Sequence, residues 1–222
     1  FCRVFAQEGI PAYADLTGGY FDAIEVQVLL NLLRLCDNRR QDVPLLSVLR
    51  SGVGGFTAGD VANVRLRGDA LFQAQQEQAA EPLFVLEGSV LSKNPDPSDG
   101  ASPSRPLRAP NGSLSYFDAL CLTAEQDGGP LGEKCRAFLS LLSQARQECR
   151  LLRLSRFVEW LVRRTGYDDQ VAALPGGAQR TANLEQFLNR VRAYESASPR
   201  GLPGFLTYID EALATGKDMG EA

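Results

Sequence analysis

The run from Gly18 to Thr57 constrains the fold most, because its residue spacing suits helices and tight turns and does not suit strands. Apolar residues recur at helical spacing along its first half, at Phe21, Ile24, Val28, Leu32 and Leu35, with Leu29, Leu33 and Cys36 beside them. This spacing indicates a helix with a wide apolar face. Asp22 and Glu25 form a pair close to a capping box at the start of that helix.

A polar break and a second helix follow. Residues 37–42 interrupt the apolar pattern, and Pro44 suits a first helical turn because its missing N–H has no partner there. The apolar residues of the short second helix are Leu45, Leu46, Val48 and Leu49. The glycine-rich residues 51–55 must then form a turn, and Thr57 with Asp60 can cap the next helix.

The glycine turn has two interpretations. Glycines before a helix start let backbone N–H groups approach a phosphate closely, with help from the helix dipole. Alternatively, the turn is a tight connection that needs positive φ. The local sequence leaves both open.

Helical spacing also dominates the second half of the chain. Apolar faces are predicted at Leu131, Cys135, Phe138, Leu139 and Leu142; at Phe157, Val158, Trp160, Leu161 and Val162; at Leu184, Phe187, Leu188 and Val191; and at Phe205, Leu206, Ile209 and Leu213. Residues 88–113 are rich in Pro, Ser, Gly and Asn, which predicts a mobile loop. Almost nothing shows sustained strand alternation, so the fold class is mainly α.

Arginines at 163, 164, 180, 190 and 192 cluster in the sequence. Arg180 precedes a helix and follows the turn at 175–177, so it could face DNA, or the cluster could be an ordinary solvated face. Trp160 has two interpretations as well, a core anchor or a platform for base stacking.

Composition narrows the class of protein. The chain has 222 residues, 44% hydrophobic and 23% charged, as in globular proteins that are soluble in water. No apolar run approaches the roughly 18 to 20 residues of a membrane span, and no signal peptide is evident. Because Phe1 is not an initiator Met, we expect a fragment of a longer chain. The net charge of -4 argues against extensive phosphate contact without excluding a local basic patch.

Missing residue types argue against a free-standing enzyme. The chain has no histidine, which removes the usual Ser-His and Cys-His pairs and the commonest zinc ligand. It has no Walker A phosphate loop and no nuclease motif. Its five cysteines lack metal-binding spacing, which suits a reducing cytoplasm. We therefore expect no catalytic residues, metal or cofactor site in this chain, and a cytoplasmic location.

Three blocks resemble a known family. They are GIPAYADLTGGYFDAIEVQVLLNLLRLCDNRRQDVPLLSVLRS near the start, and RRTGYDDQVAALPGGAQRTANLEQFLNRVRAYE and RGLPGFLTYIDEALATGKDMGEA further on. In this order they resemble the region between motifs IV and V of UvrD-like superfamily 1 DNA helicases. They are most similar to the AddA-type ATP-dependent helicase–nuclease subunit of bacterial double-strand-break repair.

The resemblance implies a domain organisation. Residues 1–50 would end the portion of a RecA-like α/β motor domain called 2A. Residues 51–200 would form a helical insert of the 2B type that contains the loop 88–113, and residues 201–222 would return toward 2A. The parts of the parent that bind ATP and Mg²⁺ and cut DNA would lie outside this chain.

The resemblance also suggests where DNA would bind. UvrD-type relatives carry a G-I-G-x-x-T pattern in a turn of the insert that contacts duplex DNA. The aligned stretch here is 52–57, so Gly54, Gly55 and Thr57 become candidate DNA contacts, with Arg180 added from the arginine cluster. This stretch is also close to the plain AddA pattern, in which the turn packs without touching DNA.

Two functions follow from these observations. The first is an accessory subdomain of an ATP-dependent DNA helicase–nuclease, which handles duplex DNA near the fork. It would pack against the rest of its own chain and an AddB-type partner subunit, with no membrane contact. The second is a helical protein–protein interaction module without DNA contact.

Overall fold

The computed structural model describes residues 20–80, 114–198 and 200–214, with the backbone alone for residues 75–80. The predicted mobile loop at 88–113 lies outside the described residues. The described part of the chain is helical throughout apart from turns and short connections, and it contains no strand. The mainly α fold class is therefore confirmed.

Nine α-helices follow a 3-10 turn at Tyr20–Asp22 in the described ranges. They are α1 (Ile24–Asp37), α2 (Asp42–Arg50), α3 (Ala58–Ala80), α4 (Tyr116–Gln126), α5 (Pro130–Leu151), α6 (Leu154–Thr165), α7 (Tyr167–Ala172), α8 (Gly177–Ala197) and α9 (Gly201–Ala214). No helix in these ranges combines the length and the apolar composition that a bilayer span requires.

The chain divides into two compact units. One contains the described residues of Phe1–Asp37 and Ala145–Ala222, and the other is Asn38–Gln144, again in its described part. We call them the α8 unit and the α3–α4 unit. Helix α5 begins in the α3–α4 unit and ends in the α8 unit.

A close helix crossing organises the α3–α4 unit. A Cβ added to Gly68 of α3 would lie 2.4 Å from the Cβ of Ala119 in α4, so glycine lets the two backbones approach. The Tyr116 hydroxyl donates to the carbonyl of Val61 at 2.8 Å, and Arg65 donates to the carbonyl of Leu114 at 2.6 Å. These hydrogen bonds at one end of α4 thus stabilise the crossing.

Helix α8 is the centre of the other unit, where it contacts α1, α6, α7 and α9. The buried Phe187 ring packs edge-on against Phe205 of α9, with ring centroids 5.9 Å apart. Arg146 of α5 donates to the carbonyls of Leu35, Cys36 and Asp37, at 2.7 Å to Cys36. That guanidinium satisfies carbonyls that the end of α1 leaves without helical partners.

Most predicted apolar faces are confirmed, with corrections at their ends. Ile24 is 63% exposed and Leu213 is 40% exposed, although both were assigned to buried faces. Ile24 is the first residue of α1 and Leu213 is next to the last residue of α9. Few neighbouring helices cover such terminal positions, so correct spacing does not bury them.

The capping pair predicted at the start of α1 is also corrected. The Glu25 side chain does not reach back to the backbone before the helix, because its carboxylate accepts hydrogen bonds from Arg180 and Asn183 of α8. Tertiary pairing outweighs the local cap here.

The RecA-like flanks stay a prediction. The described residues of 20–50 and 201–214 are helical, and the strands of a motor domain are not among them. The compact units change at Asp37/Asn38 and Gln144/Ala145. The domain bounds near 50 and 200 that the resemblance implied stay a prediction.

Candidate nucleic-acid interface

The glycine turn begins where α2 ends at Arg50. The backbone N–H and the hydroxyl of Ser51 both donate to the carbonyl of Val48, at 3.1 and 2.7 Å. The hydroxyl oxygen of Ser51 accepts from the N–H of Val53 at 3.2 Å. Ser51 therefore ends the helix and also begins the turn.

Gly54 and Gly55 have different reasons to be glycine. A Cβ at Gly54 would lie 2.5 Å from Leu49 Cα and 2.7 Å from the carbonyl oxygen of Val48, so this position needs glycine for close packing. Gly55 has φ +67°, which side chains rarely adopt, and no heavy atom lies within 4 Å of the point that a Cβ would occupy there. Of the two, Gly55 faces open space.

Phe56 anchors the turn to the core of the α3–α4 unit. Its side chain is buried, and its ring meets Phe138 edge-on at a centroid distance of 6.3 Å. Its N–H donates to the carbonyl of Leu49 at 2.9 Å, and its own carbonyl accepts from Arg50 at 3.1 Å. The turn is thus held on both sides of this residue.

Thr57 and Asp60 form the predicted capping box of α3. The Thr57 hydroxyl accepts from the Asp60 N–H at 3.1 Å, and the Asp60 carboxylate accepts from the Thr57 N–H at 2.9 Å. Lys134 of α5 donates to the same carboxylate at 2.9 Å. The hydrogen bond from Lys134, and after it that from the Thr57 N–H, lowers the pKa of Asp60 to about 2. A carboxylate, balanced by one lysine, therefore already lies at this helix N-terminus at neutral pH.

These contacts limit what the turn can offer to a phosphate. The N–H groups of Val53, Gly55, Phe56 and Thr57 all donate to groups within the protein. They do not form an open cradle of amides. What faces solvent is the backbone surface around Gly55 and the exposed Thr57 side chain. Packing and capping explain the turn, and DNA contact by Gly54, Gly55 and Thr57 stays a prediction.

Arg180 lies in the first turn of α8, in the α8 unit, whereas the glycine turn belongs to the α3–α4 unit. Its guanidinium donates to the carboxylate of Glu25 at 2.8 Å and to the carbonyl of Pro175 at 3.1 Å. Its side chain is 30% exposed. A DNA contact by Arg180 stays a prediction, but the contacts observed give the residue a structural role.

Glu25 is the charged centre that the sequence interpretation missed. It is only 3% exposed, and besides Arg180 its carboxylate accepts from the Asn183 side chain at 2.6 Å. The Tyr167 hydroxyl donates to its backbone carbonyl at 3.2 Å, and burial raises the pKa of that tyrosine. One signal was present: Glu25 lies four residues after Phe21 and three before Val28, on the apolar face of α1.

A shallow depression of about 360 Å³ lies beside this pair. Its lining residues are Ala23, Ile24, Glu25, Pro175, Gly176, Gln179 and Arg180. The two charged residues of the lining are bonded to each other, so neither charge is available to a ligand without breaking that pair.

The cysteines of the described residues are free thiols at Cys36, Cys121, Cys135 and Cys149. Burial raises the pKa of Cys36 to about 12 and the pKa of Cys121 and Cys135 to about 11. Such thiols are protonated at neutral pH and are poor nucleophiles. Within the described ranges, no three His, Cys, Asp or Glu residues gather as a metal site.

Comparison with known proteins gives a consistent result. No family model matches the chain. The chain is 34% identical over 222 residues to the A subunit of the ATP-dependent helicase/nuclease of Alkaliphilus oremlandii and 37% identical over 242 aligned positions to that of Moorella thermoacetica. It is 36% identical over 218 residues to the corresponding subunit of Oceanobacillus iheyensis. These alignments cover 97 to 100% of the chain and 14 to 17% of each relative, so the chain spans about one seventh of their length.

Proposed function

We propose that this chain is a helical accessory subdomain of a DNA helicase–nuclease, because it belongs with the A subunits of the ATP-dependent helicase/nucleases. Its resemblance to the AddA type predicted that relationship. Its role is to handle duplex DNA near the fork and to pack against the motor or a partner subunit. The observation that carries this proposal is identity above 30% along essentially the whole chain. The helical fold supports an insert of the 2B type.

The proposal extends to the parent protein. The machinery that binds ATP and Mg²⁺ and cuts DNA belongs to other segments of a longer helicase/nuclease subunit, which acts in the cytoplasm in double-strand-break repair. An AddB-type subunit is the expected protein partner. The names of the relatives support the helicase and nuclease activities, and the missing nucleotide-binding motifs of this chain support their location elsewhere.

Gly55 is the best place to test DNA contact in the glycine turn, because it is exposed and has open space where a side chain would project. Asn and Asp both tolerate positive φ better than other side chains do, and they have nearly the same shape. Gly55→Asp and Gly55→Asn therefore form a matched pair that differs by one negative charge. Any strain from the turn is shared by both variants.

The experiment measures binding of a fluorescent forked duplex by anisotropy at low salt, with this chain and with the longer subunit that carries it. If phosphates approach the turn, Gly55→Asp should bind several-fold more weakly than Gly55→Asn, since like charges about 4 Å apart in water cost about 1 kcal/mol. Equal affinity of the two variants would remove the turn from the DNA interface. No binding by any form would contradict the proposed function.

A second candidate function is a helical interaction module without DNA contact. The hydrogen bonds of the turn favour it, because most of the backbone N–H groups that would cradle a phosphate are engaged inside the protein. Association with an AddB-type subunit that persists while forked DNA is not bound would support this alternative.

A further inference from the structure

Helix α6 and the residues just before it have a charge opposite to that of the chain. Five arginines and one glutamate lie between residues 150 and 164, whereas the whole chain has a net charge of -4. None of the basic residues in that segment is a lysine. Positive charge is therefore concentrated on one short part of the α8 unit.

The arginines lie on the solvent side of an amphipathic helix. The buried face of α6 consists of Leu154, Phe157, Val158, Leu161 and Val162. Arg153, Arg156 and Arg163 are exposed. Helical spacing places Arg156 and Arg163 on the opposite side from the buried residues, and Arg153 precedes the helix as its N-cap. We call Arg153, Arg156, Trp160 and Arg163 the arginine stripe.

Carboxylates of the protein neutralise this stripe only in part. Glu159 accepts from Arg156 at 3.2 Å and from Arg192 of α8 at 2.7 Å, so one carboxylate serves two guanidinium groups. Arg156 and Arg192 still have 74% and 52% of their side chains exposed. Within the described ranges, Arg153 and Arg163 are in no ion pair. Positive charge remains available to an external anion.

Stability of α6 alone does not explain the stripe. A helix N-terminus favours negative side chains and disfavours positive ones. In α6, Arg153 is the N-cap residue, its side chain caps no backbone N–H, and the first turn contains no acidic residue. Arg163, in the last turn, does suit the helix dipole. The arginine at the start of α6 therefore acts against the local preference, which points to a binding role.

Trp160 adds an aromatic surface between the arginines. It is partly exposed, and its ring stacks on the buried Phe157 ring at 6.4 Å with an angle of 17° between their planes. It lies four residues after Arg156 and three before Arg163, on the same side of the helix. Arginines interleaved with an aromatic ring are typical of surfaces that follow a nucleic-acid backbone.

We propose that the arginine stripe of α6, extended by Arg192 of α8, binds the phosphodiester backbone of DNA. This inference rests on the proposed function and names a contact surface separate from the glycine turn. From Arg153 to Arg163 the helix extends about 15 Å, a length over which duplex DNA has roughly nine phosphates. Guanidinium groups match phosphate oxygens in bidentate geometry, and Trp160 favours a nucleic acid over an acidic protein surface.

The chain contains a single tryptophan, so its fluorescence reports directly on the stripe. The experiment titrates the 222-residue chain with a 20-nucleotide dT strand and with a 20-base-pair duplex, and follows Trp160 quenching from low to moderate salt. The test variant is Arg153→Gln with Arg163→Gln, which leaves Glu159 and its two arginine partners intact. The matched control removes two exposed arginines elsewhere, Arg39→Gln with Arg200→Gln.

Binding should quench Trp160, and the test variant should lower the slope of log affinity against log salt by about 2 while the control changes it by less. Glu159→Gln should have the opposite effect and tighten binding, because it removes the carboxylate that neutralises Arg156 and Arg192. Quenching by either DNA form supports the proposal, and the stronger quencher identifies the form preferred. Far-UV circular dichroism of each variant shows whether its helices are intact.

Each of the following results would overturn the proposal. One is a test variant that binds DNA as tightly as the control. Another is quenching by a poly-glutamate chain of equal charge but not by DNA, which would assign the surface to an acidic protein. The third is binding without any change in Trp160 fluorescence. If Gly55→Asp weakens binding while the stripe variant does not, the inference fails and the proposed function stands. If no form binds DNA, both fail.

Discussion

Two acidic residues, one in each compact unit, have the same local position and different surroundings. Glu25 lies in the first turn of α1 and Asp60 in the first turn of α3, and each is bonded to a base from another helix. Glu25 is 3% exposed and Arg180 is 30% exposed on its side chain, whereas the side chains of Asp60 and Lys134 are 23% and 45% exposed.

The difference in burial decides what each pair does. The Asp60 side chain is partly exposed and accepts the local hydrogen bond from the Thr57 N–H that caps its helix, so the Lys134 contact is an addition to that cap. Glu25 is removed from water, so its charge depends on Arg180 and Asn183. A carboxylate at a helix start therefore acts as a cap when it lies on the surface, as in Asp60, and as a tertiary anchor when it is buried, as in Glu25.

Arg180→Ala should give the largest effect. It leaves the Glu25 carboxylate buried without its cation, and breaking a buried pair in this way costs about 3 kcal/mol. Urea unfolding measures the loss, with Arg163→Ala as a control that should change stability by no more than about 0.5 kcal/mol. A loss at Arg180 as small as that of the control would show that Glu25 does not need its partner. A loss of DNA binding in Arg180→Ala would therefore indicate unfolding of the variant and would not by itself show that Arg180 contacts DNA.

Gly54→Ala should cause the next largest loss of stability, and this loss should exceed that of Gly55→Ala. The added methyl group at Gly54 meets the backbone of Val48 and Leu49, which cannot move away as a flexible side chain can, and we expect a cost of about 2 to 3 kcal/mol. At Gly55 the cost is the positive φ alone, about 1 kcal/mol. The two free energies of unfolding, measured side by side, test this order. The reverse order would mean that the turn repacks around Gly54.

Thr57→Ala removes one half of the capping box of α3 and should cost about 1 kcal/mol. Thr57→Ser is the matched control, because it keeps the hydroxyl that accepts from the Asp60 N–H. Thermal or urea unfolding of the two variants separates the cap from the loss of a methyl group. If Thr57→Ser is as unstable as Thr57→Ala, the cap is not the stabilising contact.

Lys134→Met should give the smallest change in stability, within about 0.5 kcal/mol, because it breaks an exposed pair. The clearer effect of Lys134→Met is on the titration of Asp60. With Lys134 present the pKa of Asp60 is lowered to about 2, and in the variant it should rise toward its ordinary value of 3.8. Because the folded pKa is the lower one, the stability that this carboxylate contributes is present above about pH 4 and is lost as the pH falls toward 2. NMR titration of the Asp60 side chain measures the shift, and an unchanged midpoint would exclude Lys134 as its cause.

Much of the helical structure could be predicted from the sequence. The apolar spacing of α1, Pro44 in the first turn of α2 and the Thr57–Asp60 box are local patterns, and the helices form where these patterns place them. Errors occurred at Ile24 and Leu213, where the spacing was right but the neighbouring helices leave 63% and 40% of the residue exposed. The spacing of apolar residues shows which face of a helix is apolar, but it does not show how far neighbouring helices cover that face.

The candidate site was less predictable. Gly54 and Gly55 look alike in the sequence, and only the backbone geometry separates a packing glycine from one with positive φ. Trp160 was assigned to the apolar face of α6, but it lies at the edge of that face beside the arginines. The residues of one helical turn do not determine how much of a large aromatic ring the neighbouring side chains cover.

The sequence by itself determined the helical fold class, the position of most helices and the relationship to the helicase/nuclease subunits, because these depend on spacing over a few residues and on residue identity. Tertiary structure alone decided that Glu25 is an anchor instead of a cap. Its partner Arg180 is 155 residues away in the chain, and the pairing follows from burying a charge that must then be compensated. No local pattern contains that requirement.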